Sequence, residues 1–109
     1  MITRFYRDTA EIILWIHERN PDAATRFSDA VNNALRRLDE HPELGARRDI
    51  DNPRLQELRI WPIPEFTDYL ILYLPSENDG IIPLRLVHGA MDYPKRLRDD
   101  FFDDEESGT

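Results

Sequence analysis

Asn20-Pro21-Asp22-Ala23-Ala24-Thr25-Arg26-Phe27-Ser28-Asp29-Ala30-Val31-Asn32-Asn33-Ala34-Leu35-Arg36-Arg37-Leu38 is the stretch whose reading decides the fold. Asn20 is a capping residue, Pro21 suits the first helical position, and Asp22 complements the positive end of the helix dipole. Phe27, Ala30, Val31, Ala34, Leu35 and Leu38 then recur at steps of three and four, the spacing of one buried helix face. The helix should stop near His41, because Pro42 disfavours helical geometry in the residue before it. Upstream, Thr3 suits a cap, and Phe5, Thr9, Ile12, Ile13 and Ile16 share one side of a wheel opposite Arg4, Arg7, Glu11 and Glu18. A first helix over residues 3–19 follows. With about one residue between them, the two helices must form an antiparallel hairpin.

Downstream the period changes from 3.6 to 2. Residues 42–53 read as a loop. Leu55–Ile63, Phe66–Leu74 and Ile81–His88 read as strands, separated by a turn between Pro62 and Pro64 and a longer one over 75–80 that ends in Asp-Gly. Strands joined by short turns pair as an antiparallel meander. Pro83 donates no ladder bond, so the last strand is expected to be an edge or to bulge there. A short helix near Tyr93–Asp100 closes the expected architecture. The fold class is α+β: an N-terminal helical hairpin on a three- to four-stranded antiparallel sheet.

Alternation sorts the strand side chains into two faces. Leu58, Ile60, Leu70, Leu72, Leu74, Leu84 and Leu86 form an aliphatic set, expected to lie under the hairpin. Arg59, Trp61, Ile63, Tyr69, Ile71, Tyr73, Arg85 and Val87 form a mixed set, expected to face outward as a binding surface, since Arg, Trp and Tyr dominate binding hot spots. On helix 1, Leu14 and Trp15 lie off the main apolar face. Both are candidate partner contacts, although for Trp15 packing against helix 2 is the reading adopted.

The chain has 109 residues, which fits one core. Residues 1–98 are expected to be the domain and 99–109 an acidic tail. The net charge is −8, but Asp99, Asp100, Asp103, Asp104, Glu105 and Glu106 fall in the last eleven residues with no base among them. The remainder is near neutral and carries no overall field to attract nucleic acid. Without cysteine, disulfides, thiolate nucleophiles and cysteine zinc sites are excluded. No apolar run approaches the roughly 20 residues of a membrane span, and a cytoplasmic location is the simplest expectation.

Neither a metal nor a small-molecule cofactor is expected. His17, His41 and His88 show no ligand spacing, and the four glycines make no phosphate loop. His88 with Asp92 and Arg85 is the one constellation to weigh for catalysis. A histidine at a strand end can be a general acid or base, but a structural role is commoner.

Several ordered pieces carry a resemblance. They are Ile12-Ile13-Leu14-Trp15-Ile16, Asn20-Pro21-Asp22-Ala23-Ala24 and His41-Pro42-Glu43-Leu44-Gly45. They continue with Leu58-Arg59-Ile60-Trp61-Pro62-Ile63, Tyr69-Leu70-Ile71-Leu72-Tyr73 and Leu84-Arg85-Leu86-Val87-His88-Gly89-Ala90-Met91-Asp92. From about residue 3 to 98 the chain resembles the RelE/ParE superfamily of toxin–antitoxin toxins, on the ParE (plasmid stabilisation) side. The resemblance implies a helical hairpin over an antiparallel sheet and neutralisation by an antitoxin from an adjacent gene. Its target would be DNA gyrase for a ParE-type toxin, or mRNA in the ribosome for a RelE-type endoribonuclease. For the second the candidate catalytic residues are Arg59, Arg85 and His88. Two departures count against it: Tyr69 stands where such nucleases carry arginine, and Met91 where they often carry a base. A third reading is a module that binds the antitoxin and has lost toxicity. Only Met1-Ile2 precede helix 1, where the family usually has a strand, so either that strand is missing or the true start lies upstream; a missing strand would leave one sheet edge open for an added antitoxin strand.

Overall fold

A computed structural model describes residues 2–48, 52–78 and 80–89. It has α1 (Ile2–Arg19), α2 (Pro21–Glu40), β1 (Ala46–Arg47), a 3-10 turn (Pro53–Leu55), β2 (Arg59–Ile63), β3 (Phe66–Pro75) and β4 (Ile81–His88). The two helices pack on a four-stranded antiparallel sheet of order β1-β2-β3-β4, the α+β architecture expected from the sequence. The expected C-terminal helix, the acidic tail, Met91 and Asp92 lie outside the described residues.

Asn20 alone joins the helices. Its N–H donates to the Ile16 carbonyl at 2.7 Å, closing α1, while its side chain accepts from the Ala23 N–H at 3.1 Å, opening α2. At the far end the His41 N–H donates to the Arg37 carbonyl before Pro42 ends the helix. Residues 42–53, expected to be loop throughout, contain the short strand β1, which pairs Ala46 with Ile60 and Arg47 with Arg59. The stretch from Leu55, expected to be strand, begins instead with the 3-10 turn, and pairing with β3 starts only at Arg59.

The assignment of sheet faces is reversed. The cluster under the hairpin joins Phe5, Ile16, Phe27, Val31 and Leu38 to Ile63, Ile71, Tyr73 and Leu86, with Trp61, Phe66 and Tyr69 packed against it. The aliphatic set lies on the other side: Leu58, Leu72 and Leu84 form a second buried cluster with Leu55 and Val87. Alternation tells which residues share a face, but it gives direction only when one face is polar, and here both are apolar. The aromatic set wins the hairpin side because Phe27 is wedged edge-on between Phe66 and Tyr69, at 5.1 Å from each ring centre. Leu86 and Val87 also exchange places. Tyr73 pairs with Pro83 and Leu72 with Arg85, which leaves Leu84 as an extra residue and inverts the alternation beyond it. The bulge thus sits beside Pro83, on an edge strand, where the missing N–H is tolerated.

Ile63 and Phe66 are paired across a two-residue turn, Pro64-Glu65, and Glu65 has φ 72°. Proline followed by a left-handed residue is the type II turn pattern, whose second corner favours glycine. Replacing Glu65 by glycine should therefore raise unfolding free energy by about 0.5–1 kcal/mol. A urea titration with an unchanged slope and a higher midpoint is the expected result.

The open edge expected from the short N-terminus is covered at its centre. α1 lies along β4, and the Asp8 carboxylate accepts the backbone N–H of Leu86 at 3.1 Å. The helix thereby supplies an acceptor that a further strand would otherwise provide.

Candidate functional site

Arginine is the residue type on which the nuclease and binding readings both depend, and the fold takes both candidate arginines into its own structure. Arg85 lies on β4 with a buried side chain. Its Nε donates to Asp8 Oδ2 at 2.6 Å and its Nη2 to Asp8 Oδ1 at 3.1 Å, a two-pronged charge-assisted pair. Asp8 is itself buried, and its carboxylate serves Arg85 and the Leu86 N–H together. The pair joins the first helix to the last described strand.

Arg59 does the corresponding work at the opposite edge. Its Nη1 donates to the Glu43 carbonyl at 2.9 Å and to the Gly45 carbonyl at 2.7 Å. Tyr73, fully buried, completes the node: its hydroxyl donates to the Pro42 carbonyl at 2.7 Å and accepts the Gly45 N–H at 2.8 Å. Burial pushes the Tyr73 phenol above its ordinary pKa, against the smaller opposing pull of the Gly45 N–H and the Arg59 charge. Gly45 is required here by close approach. A Cβ at that position would stand 2.5 Å from the Tyr73 hydroxyl oxygen and 2.9 Å from the Ile60 carbonyl oxygen. The segment His41–Gly45 is therefore stitched to the sheet.

His88 lies edge-on to Tyr69 at 5.2 Å between ring centres, the two residues being paired across β3 and β4. With Asp8, Glu11 and Arg85 they border a groove of about 230 Å³ between α1 and β4. Trp61 lines a different, wider cleft of about 380 Å³, walled by Arg26, Asn33 and Arg37 of α2 and by Pro64 and Glu65. The mixed residue set is thus divided among separate places rather than gathered on one outward surface. Arg59 and Tyr73 hold a loop, Arg85 and Tyr69 border the α1 groove, and Trp61 floors the α2 cleft. Among the described residues no three His, Asp or Glu side chains group as metal ligands, and no helix is long and apolar enough to cross a membrane.

Among the described residues the three most exposed large apolar side chains are on α1. Leu14 is 61% exposed, Tyr6 56% and Trp15 52%. Trp15 does not pack under helix 2 as expected. It lies against solvent with the Arg19 guanidinium 3.9 Å over its ring, and Arg19 Nη1 also donates to the Trp15 carbonyl at 2.8 Å. This cation–π contact holds the indole in place. Leu14 and Trp15 were identifiable as off the core face. Tyr6 and Asp8 were not singled out, although Asp8 stands three residues after Phe5 and four before Ile12, on the flank of the buried stripe.

Over residues 3–93 the chain matches the family described as the ParE toxin of type II toxin–antitoxin systems, parDE. No curated protein matches it. The match runs from the start of α1 to beyond the end of β4, so it takes in the hairpin, the whole sheet and both stitched arginines. Membership implies a cognate antitoxin as partner. The same residues that build the hairpin and the meander thus place the chain in a family: it belongs to the ParE toxins of type II toxin–antitoxin systems.

Proposed function

We propose that the chain is a toxin that acts by binding and inhibiting DNA gyrase, cuts no nucleic acid, and is neutralised by an antitoxin seated on the outer face of α1 around Leu14 and Trp15. The observation that carries this reading is the commitment of the two arginines. Metal-independent cleavage of a phosphodiester needs cations aimed at the developing phosphate charge. Arg85 is buried against Asp8, and Arg59 donates to the carbonyls of Glu43 and Gly45. Tyr69, at the position where RelE-type nucleases carry arginine, is packed against Phe27. The antitoxin contact is supported by large apolar side chains held outward on a rigid helix, which suits an amphipathic partner segment.

Expression of the chain alone, in a host lacking the neighbouring gene, should sharply reduce viable counts. Co-expression of the neighbour should restore them. Purified toxin should inhibit gyrase supercoiling while cellular mRNA stays intact. Ribosome-dependent mRNA cutting, lost on replacing Arg59 or Arg85, would replace this reading with the endoribonuclease. Unchanged counts with good soluble expression would replace it with a non-toxic antitoxin-binding module.

A further inference from the structure

The cleft between α2 and the β2–β3 turn holds a donor with nothing to donate to. Trp61 Nε1 is buried and has no hydrogen-bond partner among the described residues. A buried N–H left unpaired is costly, so one beside a cleft of about 380 Å³ marks a place for an acceptor. Ala30 and Ala34, one turn apart on α2, line the cleft with the Trp61 indole, and such small side chains leave room for an apolar ring. Arg26 stands one turn before Ala30 and Arg37 three residues after Ala34, so a guanidinium flanks the alanines on each side. Among the described residues neither guanidinium is paired with a carboxylate. Asp29 and Glu65 line the cleft too, so it is no general sink for anions. A ligand that fits sets a ring against the alanines and a carboxylate at the indole N–H. The chain itself carries such a segment: Phe102 is the only aromatic residue followed directly by an acidic one, in Phe101-Phe102-Asp103-Asp104. Its tether is long enough. Tyr69 pairs with His88 and Leu70 with Pro62, so β4 ends level with Pro62, two strand spacings or about 10 Å across the sheet. The twelve steps from Gly89 to Phe101 reach about 40 Å when extended.

We propose that the α2 cleft is a binding site for an aromatic–acidic peptide segment, and that its occupant is residues 101–104 of the same chain. The Phe102 ring lies against Ala30 and Ala34, and the Asp103 carboxylate accepts from Trp61 Nε1 between the flanking arginines. The contact joins two parts of one molecule, so it is insensitive to dilution, and its charged half weakens with salt. A partner that uses this face of α2 must first displace the segment. The site stands independently of the proposed gyrase and antitoxin contacts.

The test is disulfide trapping in the full chain, which has no cysteine of its own. Asn33→Cys, on the cleft wall, is combined with Glu105→Cys, just beyond the seated residues. Under mild oxidation this pair should close within one chain, on the order of tenfold faster than Leu14→Cys with Glu105→Cys, whose first position is exposed on α1. Adding Phe102→Ser and Asp103→Ala to the first pair should slow it to the rate of the second. The indole N–H gives a second readout. In a Trp15→Phe chain Trp61 is the only tryptophan, and its proton–nitrogen signal should move upfield and exchange faster with water on Asp103→Ala. Equal closure rates for the two pairs, or bridges that join two chains and double the mass, overturn the proposal. A Trp61 signal that Asp103→Ala leaves in place overturns it too. If only added antitoxin moves that signal, the cleft is the antitoxin's and the intramolecular contact falls. Failure of gyrase inhibition, by contrast, leaves these rates and signals unchanged and bears only on the proposed function.

Discussion

Replacing Asp8 by alanine should cost about 3–5 kcal/mol of folding stability, the largest loss expected from any single polar substitution here. The reason is asymmetry. Arg85 and Asp8 have side chains only 11% and 10% exposed, so solvation replaces little of a lost partner. Removing the carboxylate takes a two-pronged, charge-assisted partner from a buried guanidinium and also strips the acceptor from the Leu86 N–H. Against the 5–15 kcal/mol that holds a typical domain together, such a loss leaves the chain marginal. Asp8→Asn should cost less, since its amide oxygen can still accept from Leu86. Removing both charges, as Asp8→Leu with Arg85→Met, should recover much of the single-variant loss, because two buried charges are no longer desolvated. Urea unfolding of the four proteins measures this directly. A loss below about 1 kcal/mol for Asp8→Ala would mean that the pair is solvated like a surface salt bridge.

Tyr73→Phe is expected to cost about 2–3 kcal/mol, because the buried Gly45 N–H and the half-buried Pro42 carbonyl lose one shared partner. The same hydroxyl gives a pH signature. Its pKa in the folded chain is raised, chiefly by burial, above the unfolded value of about 10. Between those two values the folded state holds more protons than the unfolded one, so stability falls as pH rises. The tyrosine's contribution is complete below about pH 10 and is lost as pH rises through the folded pKa. The wild-type urea midpoint should therefore decline above about pH 10, and the Tyr73→Phe midpoint should decline less. Gly45→Ala attacks the node from the other side. Its Cβ would force Tyr73 or the β2 backbone aside, at a cost of about 1–3 kcal/mol. A Tyr73→Phe variant with an unchanged midpoint at neutral pH would show that water replaces the hydroxyl.

The hairpin was legible in the sequence because local chemistry specifies it: Asn20, Pro21 and Pro42 are punctuation whose meaning needs no tertiary context. Three of the four strands were legible from their two-residue period, within a few residues at their ends, while β1, only two residues long, was read as loop. Which face of the sheet meets the helices was not, because Leu72 and Tyr73 are both fully buried and alternation between two apolar sets carries no sign. The bulge at Leu84 was anticipated near Pro83, yet its effect on Leu86 and Val87 depends on pairing with β3, a tertiary fact. The candidate site suffered from the same ambiguity. Arg59 and Arg85 were visible as arginines among aromatics, but what they spend their N–H groups on is set by Glu43, Gly45 and Asp8. Those partners are 16, 14 and 77 residues away along the chain.

The sheet order follows the chain order, β1-β2-β3-β4, so most of the fold can be assembled from neighbours. The junction of α1 with β4 is different. α1, which precedes the sheet in the chain, has its docking site on β4, the last strand described. Until β4 is in place, α1 is held chiefly by α2, and Asp8 lacks its Arg85 and Leu86 partners. Closing so long a loop carries an entropic cost before its contacts form. The domain is therefore closed as a unit only once β4 is in place, and a product lacking β4 would present a hairpin with no clasp.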